Sequence, residues 1–511
     1  MYIQYRTLAA TTICFALSLL ALRKGILAYV SLTEAPPTSL IGCLQSIKGN
    51  KKSYLSIPSS PTYNNDRLGY NRNFVHKPSA IFHPASEADA VAAVVCAAAH
   101  NVSIAPRSGG HSYEGYSGGG KTASLVIDLN LFLQFAIDHD TGIATVGAGN
   151  RLGTLCTKLW KAGEYLIPAG SCPGVGIGGH ALGGGLGIAG RKYGMLSDNI
   201  VGLTMVAANG NILEVNARSR PDLFWALRGA GGGSFGLVTE FRIQAYKAPA
   251  RVTTMEVKYP WSVHQNVINA FGIWSKSVVD DFTGMLYIGQ GKVRVLGTFL
   301  GSQEEAQTAL KSLFTLTGLP QQTTFNESTW YQAAARWAEM EGANLEDPYT
   351  EHALAFRFRS LLYRQPISDS ELAIISKHIN NPPNNPDGQV TISVSLEIWG
   401  GKIDYPSSAS AFDNHRGILY SIRYGVEWNV SSPDSDSICT ECMEWNDHFA
   451  KELQAAYSSG QVLEAYQNYI ERDIPNGLQA YYGDNLSRLI EIKKSVDPGN
   501  IFVFPQAIPL S

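Results

Sequence analysis

The sequence is poor in charge. Charged residues make up 16% of its 511 positions and sum to a net charge of −3, with no basic run anywhere along the chain. That composition excludes a polyanion-binding surface, so nucleic acid is not an expected partner. Long apolar runs are missing too. The uncharged stretch from Thr7 to Leu22 is too short to span a bilayer comfortably. No internal repeat and no G-K-[ST] phosphate loop occurs, which excludes a solenoid and a P-loop nucleotidase. Cys439-Thr-Glu-Cys442 has half the ligands of a zinc site, but there is no second pair or histidine cluster to complete it, so no metal is expected.

Glycine, by contrast, is concentrated. Nine of the 50 glycines fall between Gly170 and Gly187. In a regular element each would cost roughly 0.5–1 kcal/mol relative to alanine, so a large bound ligand is the expected compensation. Backbone N–H groups bared by glycine approach phosphate oxygens or a flat ring. Two such loops each carry one nucleophile: His111 in Pro106-Arg107-Ser108-Gly109-Gly110-His111-Ser112-Tyr113, and Cys172 in Gly170-Ser171-Cys172-Pro173-Gly174-Val175-Gly176-Ile177-Gly178-Gly179-His180. An imidazole nitrogen and a thiolate are both able to bond to an electrophilic isoalloxazine ring. The embedded G-x-G-x-x-G at Gly174, Gly176 and Gly179 does not indicate a Rossmann unit. Pro173 precedes it, and Gly183, Gly184 and Gly185 follow where a helix would have to propagate.

These loops stand in order with D-L-F-W-A-L-R-G-A-G-G at 222–232, F-G-L-V-T-E-F at 235–241 and a terminal set. That set runs from Tyr481-Tyr482-Gly483-Asp484-Asn485 through Asp497-Pro498-Gly499-Asn500 to Ile508-Pro509. Together they resemble the berberine bridge enzyme-like branch of the vanillyl-alcohol oxidase flavoproteins over about residues 40–511. The resemblance implies an α+β fold. It has a PCMH-type FAD-binding domain (50–248), a substrate domain with an antiparallel sheet covered by helices (249–470) and a C-terminal segment (471–511) returning to the first domain. It also implies FAD held covalently, with His111 bonded to the flavin 8α-methyl and Cys172 to C6. Around it stand Arg107, Ser108, Gly109, Gly110 and Ser112 from the first loop, Gly176, Gly178 and Gly179 from the second, and Val238.

Local signals fit that layout. Ser86 is placed to cap a helix running to His100, with Asp89 at its third position. Strands are expected at Leu125–Leu129, Thr253–Tyr259, Met285–Ile288, Leu354–Arg359 and Gln389–Trp399. In the last, Val390, Ile392, Val394, Leu396 and Ile398 form an apolar face, leaving Thr391, Ser393, Ser395, Glu397 and Trp399 on the other. By resemblance that second face lines a pocket, with Glu397 as its acidic residue and Ser395 and Trp399 beside the substrate, together with Tyr113. Tyr466-Gln467-Asn468-Tyr469 is similar to the family Y-x-N-Y motif, which makes Tyr469 the expected base, with Glu397 as its proton acceptor or as the base itself.

The implied reaction is oxidation of an alcohol or related carbon of a small molecule, with O2 as acceptor because Val175 occupies the family's oxygen-gating position. Two substrate classes stay open. A tailoring step on a natural product is favoured by Ser395, Trp399 and Leu186, which depart from the residues of sugar-oxidising and plant relatives. A secreted carbohydrate oxidase forming a lactone and H2O2 is the alternative. Residues 1–28 read as a signal peptide or an uncleaved signal anchor, which points to the secretory pathway and leaves no other membrane span expected. Four sequons, at Asn101, Asn326, Asn429 and Asn485, permit glycosylation there. Setting aside Cys14 and Cys172 leaves Cys43, Cys96, Cys156, Cys439 and Cys442, an odd number, so at least one thiol stays unpaired. By resemblance, Cys43 and Cys96 are the best disulfide candidates.

Overall fold

The computed structural model describes residues 39–511 except 48, 75, 121–122, 341, 348–353, 385–389, 406–409, 413–416, 431–438 and 461. The expected leader lies outside the described residues. The described residues up to Ser46 form a short helix, Leu40–Gln45, capped by Ser39, and residues 47–511 form a second compact unit.

That unit begins with a four-stranded sheet. Strands β1 (Tyr54–Ser56), β2 (Ala80–His83), β3 (Ile104–Arg107) and β4 (Leu125–Asp128) lie in the order β1-β2-β4-β3, with β4 parallel to both of its neighbours. Helix α1 (Glu87–Ala99) links β2 to β3. Its cap is the expected one: Ser86 Oγ accepts from the Asp89 N–H at 3.3 Å. Ala90, Ala93, Val94 and Ala97 form the buried stripe at helical spacing.

A five-stranded antiparallel sheet follows, made of β5 (Phe135–Ile137), β6 (Ile143–Gly147), β8 (Ile200–Val206), β9 (Ile212–Val215) and β10 (Leu237–Gln244). The short β7 (Tyr165–Leu166) and β11 (Tyr246–Lys247) pair as a ribbon. Helix α2 (Leu152–Lys161) precedes the second glycine-rich loop, and α3 (Ile177–Leu182) begins within it.

The largest element is a seven-stranded antiparallel sheet. Strands β12 (Val252–Tyr259), β13 (Phe282–Gly289), β14 (Lys292–Phe299), β15 (Gln322–Ser328), β16 (Ala355–Tyr363), β17 (Val390–Ile398) and β18 (Tyr420–Trp428) are ordered β15-β12-β14-β13-β17-β18-β16. Period-two alternation divides it into two unlike faces. Val257, Leu286, Val295, Leu396 and Ile422 on one face are fully buried in a single apolar core. Helices α4 (His264–Trp274), α5 (Gln303–Thr317), α7 (Asp369–Asn380) and α8 (Thr440–Ala455) contribute the other half of that core. Two of these helices start at capping boxes, Ser302 with Glu305 and Ser368 with Glu371. Helix α6 (Trp330–Met340) meets the opposite face, where the Trp337 indole N–H donates to Thr298 Oγ1 at 2.7 Å.

The end of the chain returns to the first sheet. The Ile104 N–H of β3 donates to the Ile501 carbonyl at 2.7 Å. At the end of helix α9 (Leu486–Val496), the fully buried Lys493 ammonium pairs with Asp497 at 2.6 Å and donates to the Ser234 and Phe502 carbonyls.

Cys439 and Cys442 form a disulfide at the start of α8, so neither is a metal ligand here. Cys43 and Cys96 are each disulfide-bonded, while Cys156 and Cys172 take part in no disulfide. Among the described residues no helix is long and apolar enough to cross a membrane, and no His/Cys/Asp/Glu group could hold a metal ion.

Candidate active site

The two glycine-rich loops meet backbone to backbone. A Cβ added to Gly109 would fall 2.2 Å from the Gly176 nitrogen, so only a pair of glycines allows this approach. The Ser108 hydroxyl bolts the contact by donating to the Ala148 carbonyl at 2.6 Å and accepting from the Gly178 N–H at 3.2 Å. The first loop continues from β3, and Gly110 turns it at φ +75°. His111 is thereby brought flat against Tyr70, with ring centroids 4.1 Å apart. In the second loop the Gly170 N–H donates to His180 Nε2 at 3.0 Å. Burial lowers the His180 imidazole to about 4, which keeps that nitrogen an acceptor.

His111 and Cys172 face one cavity of about 410 Å³ that runs from these loops to the polar face of the seven-stranded sheet. Its loop end has room for a large flat ligand. Gly179 and Gly232 line it, and a Cβ on either would meet no atom within 4 Å. Arg107 uses Nε and Nη2 on Asp128, at 2.7 and 2.6 Å. Its Nη1 stays buried with no hydrogen-bond partner among the described residues, although the side chain lines the cavity. Such an orphaned donor suits an anionic group such as a pyrophosphate.

At the sheet end, Glu397 of β17 accepts from the Tyr469 hydroxyl at 3.1 and 3.2 Å and from Ser421 Oγ at 2.9 Å. Arg423, two residues along β18, brings its Nε to 3.5 Å from the same carboxylate and its guanidinium over the Phe358 and Tyr469 rings. Tyr113 stacks on Tyr469 with centroids 5.2 Å apart and meets Phe356 edge-on at 5.0 Å. Burial pushes the Tyr113 phenol up to about 12, although Arg423 draws it down. The Tyr469 phenol is raised as well, first by burial and then by the Glu397 charge. Both phenols therefore keep their protons at neutral pH. The Tyr466 hydroxyl accepts from the Gly185 and Leu186 N–H groups, tying the second loop to the segment that carries Tyr469.

A family model described as FAD binding domain matches residues 78–216, and one described as berberine and berberine like matches 465–509. Berberine bridge enzyme-like 12 of Arabidopsis thaliana is 30% identical over 479 residues, 86% of each chain. The solved structure of BBE-like 1 from Physcomitrella patens is 34% identical, with a TM-score of 0.83 over 93% of this chain and all of that one. The chain belongs to the berberine bridge enzyme-like family. It is an FAD-dependent oxidoreductase. Another protein of similar structure is a glucooligosaccharide oxidase from Acremonium strictum, 27% identical with a TM-score of 0.82 over 92% of this chain and 99% of that one, described with a 6-S-cysteinyl, 8α-N1-histidyl FAD.

The structure brings the expected loop residues together: Arg107, Ser108, Gly109, Gly110 and Ser112 from one loop, Gly176, Gly178 and Gly179 from the other, and Val238 of β10, all on the cavity wall. Glu397, Tyr469 and Tyr113 lie there too. Two expectations need correction, because Ser395 and Trp399 do not line the cavity. Ser395 is fully buried, and its small side chain stands between larger cross-strand neighbours, Tyr287 on β13 and Arg423 on β18. Trp399 lies past the end of its strand, fully buried with ring centroids 5.7 Å from both Phe412 and Tyr466, its indole N–H donating to Ser421. Sequence reasoning missed Arg423, Phe356, Phe358, Met285 and Tyr70. The alternation Phe356-Arg357-Phe358-Arg359 carried a usable signal for two of them. Arg423 sits in a strand that was not expected at all.

Proposed function

We propose that this family member is an oxidase that tailors a small natural product by oxidising an alcohol or related carbon, with FAD held through His111 and Cys172. The observation that carries this is the Tyr469–Glu397 hydrogen bond at one end of the cavity that His111 and Cys172 enter at the other. Bound FAD would supply the hydride acceptor at N5. The chain's own part is the proton. As a substrate hydroxyl proton reaches the Tyr469 oxygen, the Tyr469 proton passes to Glu397, so no free phenolate has to form in an environment that disfavours one. Ser421 and Arg423 hold the receiving carboxylate in place. The Phe356, Phe358 and Tyr113 rings with Met285 make an apolar wall suited to an aromatic or terpenoid body.

O2 is the proposed acceptor, with Val175 on the cavity wall leaving access to it. The leader and the exposed sequons Asn101 and Asn429 support a glycosylated, secreted enzyme. Asn485 is a poorer acceptor, since its amide donates to the Ala411 carbonyl at 3.0 Å.

A carbohydrate oxidase is the second reading, favoured by the hydrogen-bonding groups Thr283, Glu397, Arg423 and Glu427 along the same wall. Anaerobic mixing of the yellow holoenzyme with a panel of benzylic and terpenoid alcohols, and separately with mono- and oligosaccharides, distinguishes the two. Flavin bleaching by the alcohols supports the tailoring enzyme. Bleaching by sugars alone overturns it in favour of the second reading.

A further inference from the structure

A second, smaller cavity of about 30 Å³ lies behind the loop that carries Cys172. Leu152, Cys156, Leu166, Ile167, Trp330 and Leu345 supply most of its apolar wall. Small side chains at Gly153, Ala169 and Ala334 complete it. The close approach at Gly153 is strict, because a Cβ there would fall 2.6 Å from both Pro173 Cβ and the Leu345 carbonyl oxygen.

The chamber is poorly equipped to hold water, which needs two to four polar partners. The backbone N–H groups of Leu152, Gly153, Ala169 and Ile188 are already bonded within the protein. The Tyr165 hydroxyl is engaged with His139 at 3.3 Å. Burial pushes the Cys156 thiol up to about 12, so it stays a neutral, weakly polar S–H. Such a space takes a small apolar molecule in preference to water.

Its position gives that preference a use. Leu152, Gly170, Ser171 and Ile188 line both this chamber and the large cavity, while Cys172 faces the large one and Pro173 the small one. A single layer of residues therefore separates the chamber from the proposed flavin attachment. We infer that the chamber is a binding site for molecular oxygen on its way to the reduced cofactor, separate from Val175, which borders only the large cavity. This rests on the oxidase reading, in which the reduced flavin returns two electrons and two protons to O2 to give H2O2. The protonated Cys156 suits such a place, because peroxide attacks thiolates and spares thiols.

Xenon, an inert apolar gas, is the probe for the chamber, and Ala334→Leu is the variant that fills it. Crystals of the holoenzyme under xenon pressure are expected to show xenon between Cys156, Trp330 and Leu345 in the wild type and none there in the variant. The kinetic arm needs no organic substrate: the flavin is reduced anaerobically with stoichiometric dithionite, mixed with oxygenated buffer and followed as its yellow absorbance recovers. Reoxidation should slow about tenfold in A334L, while its oxidised spectrum and its reduction by dithionite stay unchanged. Absence of xenon from the wild-type chamber overturns the inference, as does a variant that excludes xenon yet reoxidises within about twofold of wild type. Should A334L fail to fold, Ala169→Val repeats both arms. Slow reoxidation of the wild type itself defeats the oxidase reading and the oxygen role with it, while xenon still decides separately whether the chamber takes an apolar gas.

Discussion

At its loop end the large cavity is made of backbone, with Gly109 against Gly176 and open glycines at 179 and 232. At its sheet end it is made of side chains on separate strands: Phe356 and Phe358 from β16, Glu397 from β17 and Arg423 from β18. The first end depends on what is absent, since a single added carbon displaces either the partner loop or the ligand. The second depends on chemical identity, since each side chain presents one function to a shared space. The loop end should therefore fail by losing shape and the sheet end by losing rate.

Gly109→Ala should bring the heaviest loss, because its Cβ meets backbone that has no room to move. About 3 kcal/mol of destabilisation and little yellow protein are expected, read by thermal unfolding and flavin content. Gly179→Ala is its control. No atom stands within 4 Å of the new carbon and alanine favours a helix, so the chain should fold at least as stably yet retain FAD poorly. Equal damage from both substitutions would erase the distinction between a packing glycine and a ligand-facing one. Tyr469→Phe leaves shape intact and removes the relay. Anaerobic flavin reduction by the identified substrate should slow by about 10²–10⁴, and near-normal reduction would dismiss the relay.

Arg423→Gln should cost about tenfold in the same measurement. Lysine at that position should recover only part of the loss, because the planar guanidinium lies over the Phe358 and Tyr469 rings. The smallest effect concerns Glu471, two residues past Tyr469 and 2% exposed, whose carboxylate lies 2.8 Å from Arg359. Burial raises its carboxyl to about 7 despite Arg359 and Arg357. The folded state therefore binds this proton more tightly than the unfolded chain does. Its contribution to stability is full below about pH 4.5 and is lost as pH rises through about 7. Tm measured across that window should fall by a few degrees in the wild type and be flatter in Glu471→Gln.

The same contrast explains what the sequence made legible. Loop residues that act through backbone are contiguous, so Arg107 to Tyr113 and Gly170 to His180 announced themselves as motifs, and most of their residues line one cavity. The capped helix at Glu87–Ala99 was equally plain, because capping is local. The sheet wall is assembled by long-range pairing, and β18 carried no distinctive punctuation of its own, so Arg423 stayed hidden until its pairing with β17 and β16 was known. Alternation correctly separated the two faces of β17, yet it could not say which residues of the polar face reach open space. Ser395 and Trp399 share the side of Glu397 and are covered by neighbours from other strands and segments.

The return of the late chain sets a schedule for biosynthesis. Tyr469 is translated after every other residue named on the sheet wall, and the segment from Lys493 to Phe502, which ties back to Ser234 and to the edge of β3, comes later still. The nascent polypeptide can complete its first glycine-rich loop hundreds of residues before it possesses the proposed proton relay. Synthesis halted before that point leaves a chain with its cofactor cradle begun and the proposed relay missing. With the proposed relay, turnover thus begins only once synthesis has passed Tyr469.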